Sequence, residues 1–409
     1  MNILFFTHHL NQGGAEKTVR TLSEYFNTHA LGVKSFLCVV YDDPDLKPYP
    51  QNVIVMQHKS DPQDSRFSKG WNVLAQIREM KRIKKSHAID VCISFLPGAD
   101  IINVFSGTGE KKIISVRSIE SLFVHSIFKK WYVKTAYHRC DYIVACSETV
   151  RRDCIDYFHV PEKKIVAIHN AATQMRFTGQ TVPAFQRFQS EHFVFLNVGR
   201  LVPVKGQIHL VRAFADFCNK CESSDDKKIP GLALVGGGEL LESLQQLSSA
   251  LGISDRVLLC GEQANPADYM RQSDVFVLSS NIEGMPNVLV EALQNGLPCI
   301  ATECGAREIL APDSDPISDR TDQIDPAEYG VLVPVCGTGS TWEQNFGAEV
   351  PLSREERALS SAMKMLYMDE NLCEKYHVLA AAAIKDVSLD AICGKWLQIM
   401  QQTIQGQMT

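Results

Sequence analysis

Short apolar runs alternate with amphipathic stretches along the whole chain. Up to residue 180 the runs are Ile3–Phe6, Phe36–Val40, Val53–Val55, Val91–Phe95, Ile113–Val116 and Tyr142–Cys146. Beyond it they are Phe193–Val198, Leu232–Val235, Val257–Cys260, Val275–Leu278, Cys299–Ala301 and Val331–Val333. Runs this short, without polar alternation, are expected of parallel strands buried on both faces. Helical periods fill the gaps: Ala15, Val19, Leu22 and Phe26 recur at i, i+4, i+7 and i+11, as do Leu240, Leu244, Leu247 and Leu251. Strand–helix alternation predicts βαβ units in a doubly wound sheet, and it occurs twice. A polar stretch at 174–192 between the two series reads as a linker. Segments 313–328, rich in Asp, Pro and Ser, and 336–351, rich in Gly and Thr, read as surface loops. The expectation is an α/β protein with two Rossmann-like doubly wound domains facing a cleft, because ligands of open α/β sheets sit at the carboxyl ends of strands.

The length of 409 residues allows two or three domains at roughly 100–200 residues each. With 45% hydrophobic and 22% charged residues, the chain is neither a disordered nor a collagen-like sequence. The net charge of −6 conceals an asymmetry. Residues 1–180 hold 24 Lys and Arg against 17 Asp and Glu, a net +7, and the other 229 hold 17 against 30, a net −13. Two halves with different partners are expected. No run reaches the ~18–20 apolar residues of a membrane span. Met1–His9 reads as a buried first strand, since it lacks the basic start and long apolar run of a signal peptide. The 13 Cys are scattered, many inside apolar runs, which suits free thiols in a reducing compartment. A lone Cys218-Asn219-Lys220-Cys221 has no second pair at zinc spacing.

Four segments carry candidate chemistry. Asn197-Val198-Gly199-Arg200 through Lys205-Gly206 follows a predicted strand and places two cations in its loop, suited to an anionic ligand or to a solvated turn. Gly236-Gly237-Gly238 follows another strand and permits close backbone approach or a plain turn. Ser279 to Leu293 is the strongest: Gly284 and Pro286 mark a turn, Pro286 opens a helix, and the free N–H groups there favour an anion. Glu283 precedes that helix and Glu291 lies within it among apolar neighbours, where a carboxylate needs a partner. Two carboxylates flanking an anion-binding helix start suit a sugar nucleotide. Asn11-Gln12-Gly13-Gly14-Ala15-Glu16 joins the first strand to a helix and would bring that helix start to a second anionic group, or be a flexible turn.

Together these segments resemble the family 4 retaining glycosyltransferases of the GT-B fold, in this order and over essentially the whole chain. The resemblance rests on Glu283 and Glu291, on Gly199, Arg200, Lys205 and Gly206, on Gly13, Gly14, Ala15 and Glu16, and on Leu297-Pro298 with Cys304-Gly305-Ala306-Arg307-Glu308-Ile309. It implies a domain over 1–180 that binds the acceptor, a nucleotide-sugar domain over 181–387, and a helix over 388–409, with Trp396, Leu397 and Met400, that crosses back to the first. It implies that Arg200 and Lys205 neutralise the donor diphosphate, Glu291 binds the ribose and Glu283 the transferred sugar. Backbone groups of Gly284, Met285, Pro286 and Asn287 would meet sugar and phosphate. Gly13 and Gly14 would close on the diphosphate, and Glu262 and Gln263 would hold the base. The activity implied is transfer of a hexose or N-acetylhexosamine from a nucleotide sugar, UDP-sugar favoured, to a glycan or lipid-linked acceptor in bacterial surface polysaccharide assembly. No metal or other cofactor is implied; Asp43-Pro44-Asp45 has the spelling of a metal motif but falls in a polar loop.

The chain departs from the family pattern twice. Where many members place a His after the strand matching Ile113–Val116, this chain has Arg117, which would contact the donor sugar or phosphate in its place, and at the domain junction His169-Asn170-Ala171 keeps Asn170 but loses the usual Gly. Alternatives are a sugar-nucleotide 2-epimerase of the same fold or a non-catalytic sugar-nucleotide-binding protein.

Basic clusters remain. Arg78, Lys81, Arg82, Lys84 and Lys85 share a predicted helix, and Lys111, Lys112, Lys129, Lys130 and Lys134 add to them. Phe123, Val124, Ile127, Phe128, Trp131 and Tyr132 surround the second cluster. The clusters are either solvated faces over core aromatics or a surface for an anionic membrane, which would make the protein cytoplasmic and peripheral on the inner face of the cell membrane. No nucleic-acid recognition motif is present.

Overall fold

The computed structural model describes residues 1–10, 13–30, 32–42, 52–59, 66–172, 177–221, 228–337 and 347–406. Asp43-Pro44-Asp45, Asn11, Gln12 and parts of the 174–192 and 336–351 segments lie outside the described residues. The chain forms two units, Met1–Ala171 with Val387–Thr409, and Ala172–Asp386.

The first unit holds β1 (Asn2–Thr7), β2 (Lys34–Val39), β3 (Val53–Val55), β4 (Val91–Phe95), β5 (Lys111–Val116), β6 (Tyr142–Ala145) and β7 (Ile165–Ala167). They form one parallel sheet in the order 3-2-1-4-5-6-7. The second unit holds β8 (His192–Val198), β9 (Ile229–Val235), β10 (Val257–Gly261), β11 (Val275–Leu278), β12 (Cys299–Thr302), β13 (Asp325–Pro326) and β14 (Val331–Val333). Its order is 10-9-8-11-12-14-13, parallel except for β13 against β14. In each sheet the winding reverses between neighbouring strands, β1 and β4 or β8 and β11, which is the switch point where ligands of such sheets bind.

The apolar runs are buried because helices cover both faces. Ile3, Leu4, Phe5 and Phe6 are fully buried, as are Val275, Phe276 and Val277. The helix Gly14–Thr28 buries Val19, Leu22 and Phe26, and Leu241–Ala250 buries Leu244 and Leu247, as their periods require. Two strands fall outside the expected runs. β7 has only three residues, and β13 has two, sits at an edge and ends on Pro326, which needs no ladder partner there.

The stretch 174–192 is not simply a linker. Pro183 opens a helix, Pro183–Glu191, that buries Phe185 and Phe188. Upstream, the Thr178 and Gly179 amides each donate to Asp268 Oδ1 at 2.8 Å, and Thr178 Oγ1 donates to Oδ2 at 2.5 Å. Residues 177–191 are thus fastened to the second unit, and the division falls at Ala171/Ala172 instead of 180. The helix Leu389–Gln405, capped by Ser388, packs in the first unit: Trp396 and Met400 are fully buried, and Tyr25 donates to Asp390 at 2.9 Å. All 13 Cys are free thiols.

Candidate functional site

In the second unit β10, β9, β8 and β11 are neighbours, so the loops leaving their carboxyl ends lie side by side. These loops lock together through backbone. The Leu201 amide donates to Gly237 O at 2.8 Å, Leu240 N to Leu201 O at 3.0 Å, and Asn281 N to Val204 O at 2.8 Å. Gly206 has φ +67°, and a Cβ there would stand 2.1 Å from Ser279 O; one on Gly236 would stand 1.9 Å from Gly199 O. These glycines let the loops close on one another, so Gly236 serves loop-to-loop packing in addition to the ligand approach or plain turn its sequence suggests.

At the switch between β8 and β11, Lys205 Nζ lies 2.6 Å from Glu283 Oε1, and Ser280 Oγ donates to the same oxygen at 2.8 Å. Ser280, three residues before Glu283, was not singled out; its spacing was the available signal. Ser279 Oγ donates to Lys205 O at 2.9 Å, and Thr302 Oγ1 to Ser280 O at 2.5 Å, which fixes both backbones. Arg200 is exposed and its side chain has no partner among the described residues, while Gln207 Nε2 holds its carbonyl at 3.0 Å. Glu262 sits beside Gly237, and Gln263 Nε2 donates to Cys260 O at 2.7 Å. Gly284, Met285 and Pro286 are buried, and Pro286 is the N-cap of the helix Asn287–Gln294, in which Glu291 is half-buried. Gly305 lets its loop run under the carbonyls of Glu283 and Gly284. A cation, a carboxylate and a helix start thus meet at one sheet edge, a set able to take an anion and hydroxyl groups together.

Ion pairs also tie the rest of this unit together. Arg212 and His209 meet Glu356 at 2.9 and 2.8 Å. Burial works against the Glu356 carboxylate, but hydrogen bonds from His209, Arg212 and the Ser353 amide hold it below its usual range. Arg307 pairs with Glu303 and, at 2.7 Å, with Asp325.

The first unit gathers the other candidates. Gly13 is the N-cap of the helix Gly14–Thr28, and the Glu16 carboxylate lies where a Gly13 side chain would be. Thr18 Oγ1 donates to Gly14 O at 3.0 Å and to Asn170 Oδ1 at 3.5 Å. Arg117, just past β5, donates from Nη1 to that same Asn170 oxygen at 2.6 Å. Its guanidinium lies 5.3 Å from the Phe95 ring centre and 5.8 Å from that of Trp396. The residue as a whole is half-buried, but Nε and Nη2 are closed to solvent and have no partner among the described residues. Burial lowers this guanidinium to about 10. His8, past β1, is lowered to about 4 by burial and then by His9.

The basic clusters need one correction. Lys84 is not on the surface: its Nζ is buried against Glu110 Oε1 at 2.8 Å and Asn103 Oδ1 at 2.8 Å, because it lies on the inward face of the helix Arg66–Ser86. Arg78, Lys81, Arg82 and Lys85 are exposed. The aromatics of the second cluster are not all core. Ile127, Phe128 and Trp131, on the helix Ile127–Arg139, are 85%, 84% and 68% exposed. Leu122, Phe123, Trp71 and Leu74 are exposed as well, whereas Val124 is buried. Among the described residues no cluster of three or more His, Cys, Asp or Glu could hold a metal ion, and no helix is long and apolar enough to cross a membrane.

Residues 12–173 match the profile of Glycosyltransferase Family 4, and residues 180–317 match Glycosyl transferases group 1. An uncharacterized glycosyltransferase of Methanocaldococcus jannaschii is 30% identical over 347 residues, 82% of this chain and 83% of its own. The N-acetylgalactosamine-N,N'-diacetylbacillosaminyl-diphospho-undecaprenol 4-alpha-N-acetylgalactosaminyltransferase of Campylobacter jejuni is 26% identical over 352 residues, 83% of this chain and 87% of its own. Among solved structures, Anabaena HepE in complex with UDP has a TM-score of 0.74 at 18% identity, over 98% of this chain and 100% of its own, a likeness of GT-B fold. With both profiles in order along the chain and a relative this similar over four-fifths of it, the chain belongs to the family 4 glycosyltransferases.

Proposed function

We propose that this glycosyltransferase moves a hexose or N-acetylhexosamine from a nucleotide sugar, a UDP-sugar by preference, to a lipid-linked glycan acceptor. The setting is assembly of a bacterial surface polysaccharide or oligosaccharide. The transfer retains the anomeric configuration and needs no metal ion. The observation that carries this reading is the Lys205–Glu283 pair at the β8/β11 switch, beside Arg200 and the helix start at Asn287. The UDP in the Anabaena neighbour and the diphospho-undecaprenol in the name of the Campylobacter relative support the choice of donor and acceptor.

Breaking the bond between C1 and the diphosphate builds negative charge on the leaving oxygen. Arg200 and Lys205 stabilise that charge where it develops, with the backbone N–H groups of Gly284, Met285 and Asn287. Glu283 accepts from the transferred sugar's hydroxyls and Glu291 from the ribose, while Glu262 and Gln263 flank the base. Gly13, Gly14, Asn170 and Arg117 act from the first unit. The acceptor hydroxyl attacks C1 on the face from which the diphosphate leaves, and its proton passes to the departing phosphate oxygen.

The test is turnover of a UDP-sugar panel with lipid-linked acceptors, read by product anomer and repeated in EDTA. Transfer with retained configuration, undiminished by EDTA, is expected. Full turnover in Glu283→Ala and Lys205→Ala would remove the site assignment. Turnover of the nucleotide sugar alone would favour the epimerase.

We also propose that the exposed Ile127, Phe128 and Trp131 insert at an anionic lipid surface while Lys129, Lys81, Arg82 and Lys85 meet its headgroups. Each cation contributes roughly 1 kcal/mol, and the helix Ile127–Arg139 carries no acidic residue to oppose this. Salt-sensitive binding to anionic vesicles should be weakened by Phe128→Glu/Trp131→Glu. Equal binding to neutral vesicles would sink the idea.

A further inference from the structure

Among the described residues, Lys84, Arg212, Arg307 and Arg117 carry buried cationic groups. Lys84 faces Glu110, Arg212 faces Glu356, and Arg307 faces Glu303 and Asp325. Among the described residues Arg117 has no carboxylate partner: the neutral Asn170 oxygen meets Nη1, two aromatic rings lie beside it, and the Cys146 thiol is near enough to act on its charge. A buried charge without a counter-charge is costly, so its persistence calls for an explanation. The two nitrogens without a partner, Nε and Nη2, form one edge of the guanidinium. That edge takes both oxygens of a phosphate or carboxylate in parallel hydrogen bonds. Trp396 Nε1, on a ring next to the guanidinium, is a further buried donor without a partner among the described residues.

The location fits a ligand. Arg117 follows β5 at the carboxyl edge of the first sheet, beside β4 and one strand from the β1/β4 switch. Asn170 and Thr18 link it to the first turn of the helix Gly14–Thr28, whose positive end favours negative charge.

We propose that the missing partner of Arg117 is an oxyanion of the substrate, a phosphate or carboxylate, gripped through Nε and Nη2. This sharpens the first-unit contact proposed above and rests on the transferase reading only for its source. That source is either the donor diphosphate or an acidic group of the acceptor.

The test uses the full chain and thermal melting with inorganic pyrophosphate and with glucuronate. Arg200→Gln/Lys205→Gln first removes the two candidate anion-binding cations of the second unit, and Arg117 is then varied in that background. At least one anion should raise the melting temperature of that variant by several degrees. Adding Arg117→Met should abolish the rise, and the triple variant should melt at or above its parent, because a charge without a counter-ion is gone. Arg117→Lys should keep part of the response. No response to either anion, an equal response with Met at 117, or melting well below the parent would each overturn the proposal; the last would mark a purely structural tether to Asn170. UDP titration of the otherwise intact chain identifies the source. A tenfold or greater loss in Arg117→Met assigns the oxyanion to the donor, and an unchanged affinity assigns it to the acceptor. Anion binding that persists without turnover of any nucleotide sugar would break the transferase reading and leave this one standing.

Discussion

Both units gather candidate residues at the carboxyl edge of a doubly wound sheet, yet their charges are settled differently. In the second unit Lys205 and Glu283 already neutralise each other, with Ser280 as a third partner. In the first, Arg117 has no carboxylate partner among the described residues, only the Asn170 amide, two aromatic rings and the Cys146 thiol. Net charge points the same way, with the positive excess in the first unit and the negative excess in the second, but Lys84 is paired within the same positive unit. What differs is local pairing. A ligand at the second edge must exchange an existing contact, so its affinity is a difference between two ion pairs. A ligand at the first edge would supply a contact the fold does not make itself.

The contrast between paired and unpaired buried cations can be broken most forcefully at Lys84. Glu110→Ala strands that ammonium, and a loss of about 3–5 kcal/mol in folding stability is expected from denaturant unfolding. If Arg117→Met loses as much, the two cations are equivalent and the contrast fails. Next, Lys205→Ala is expected to lower kcat by about 10²–10³, as removal of one group that stabilises developing charge does. A tenfold or smaller loss would make the second edge a binding platform alone. Third, Asn170→Asp would give Arg117 a carboxylate within its own unit. A charged hydrogen bond of about 1.5–3 kcal/mol should raise the melting temperature while turnover falls; a gain in both would sink the distinction between the edges.

The smallest effect is expected at Asp100, on the order of 1 kcal/mol, as for most single substitutions. Burial, with a smaller contribution from Glu120, pushes its carboxyl well above the usual range, although Ser94 donates to it. Below the unfolded carboxyl pKa, about 3.9, both states hold the proton and Asp100 is neutral to stability. As pH rises toward the folded value only the unfolded chain ionises, so Asp100 subtracts stability. Asp100→Asn should therefore match the parent near pH 3 and melt progressively above it toward pH 8. A pH-independent difference would count against burial as the cause.

Much of the fold was legible because a parallel sheet writes itself as uninterrupted apolar runs. β7 and β13 were not, since three and two residues are too few to stand out and β13 ends on a proline. Residues 174–192 read as a linker because Phe185 and Phe188 are sparse among polar neighbours, and the grip of Asp268 on Thr178 is made 90 residues away. At the site, Gly199, Arg200, Lys205 and Glu283 were legible as strand-end loops. The closeness of Lys205 to Glu283 was not, because it depends on β8 lying beside β11. Lys84 looked like one more surface cation, since nothing in its own helix announces Glu110 beneath it.

The return of Leu389–Gln405 to the first unit bears on how the protein is made. The first sheet is the first to leave the ribosome, but Trp396 and Met400 complete its core. Between the two parts lie the 215 residues of Ala172–Asp386. At roughly 5–20 residues per second, that leaves the nascent first unit without its closing helix for about 10–40 s, a span in which a chaperone would find its apolar surface uncovered.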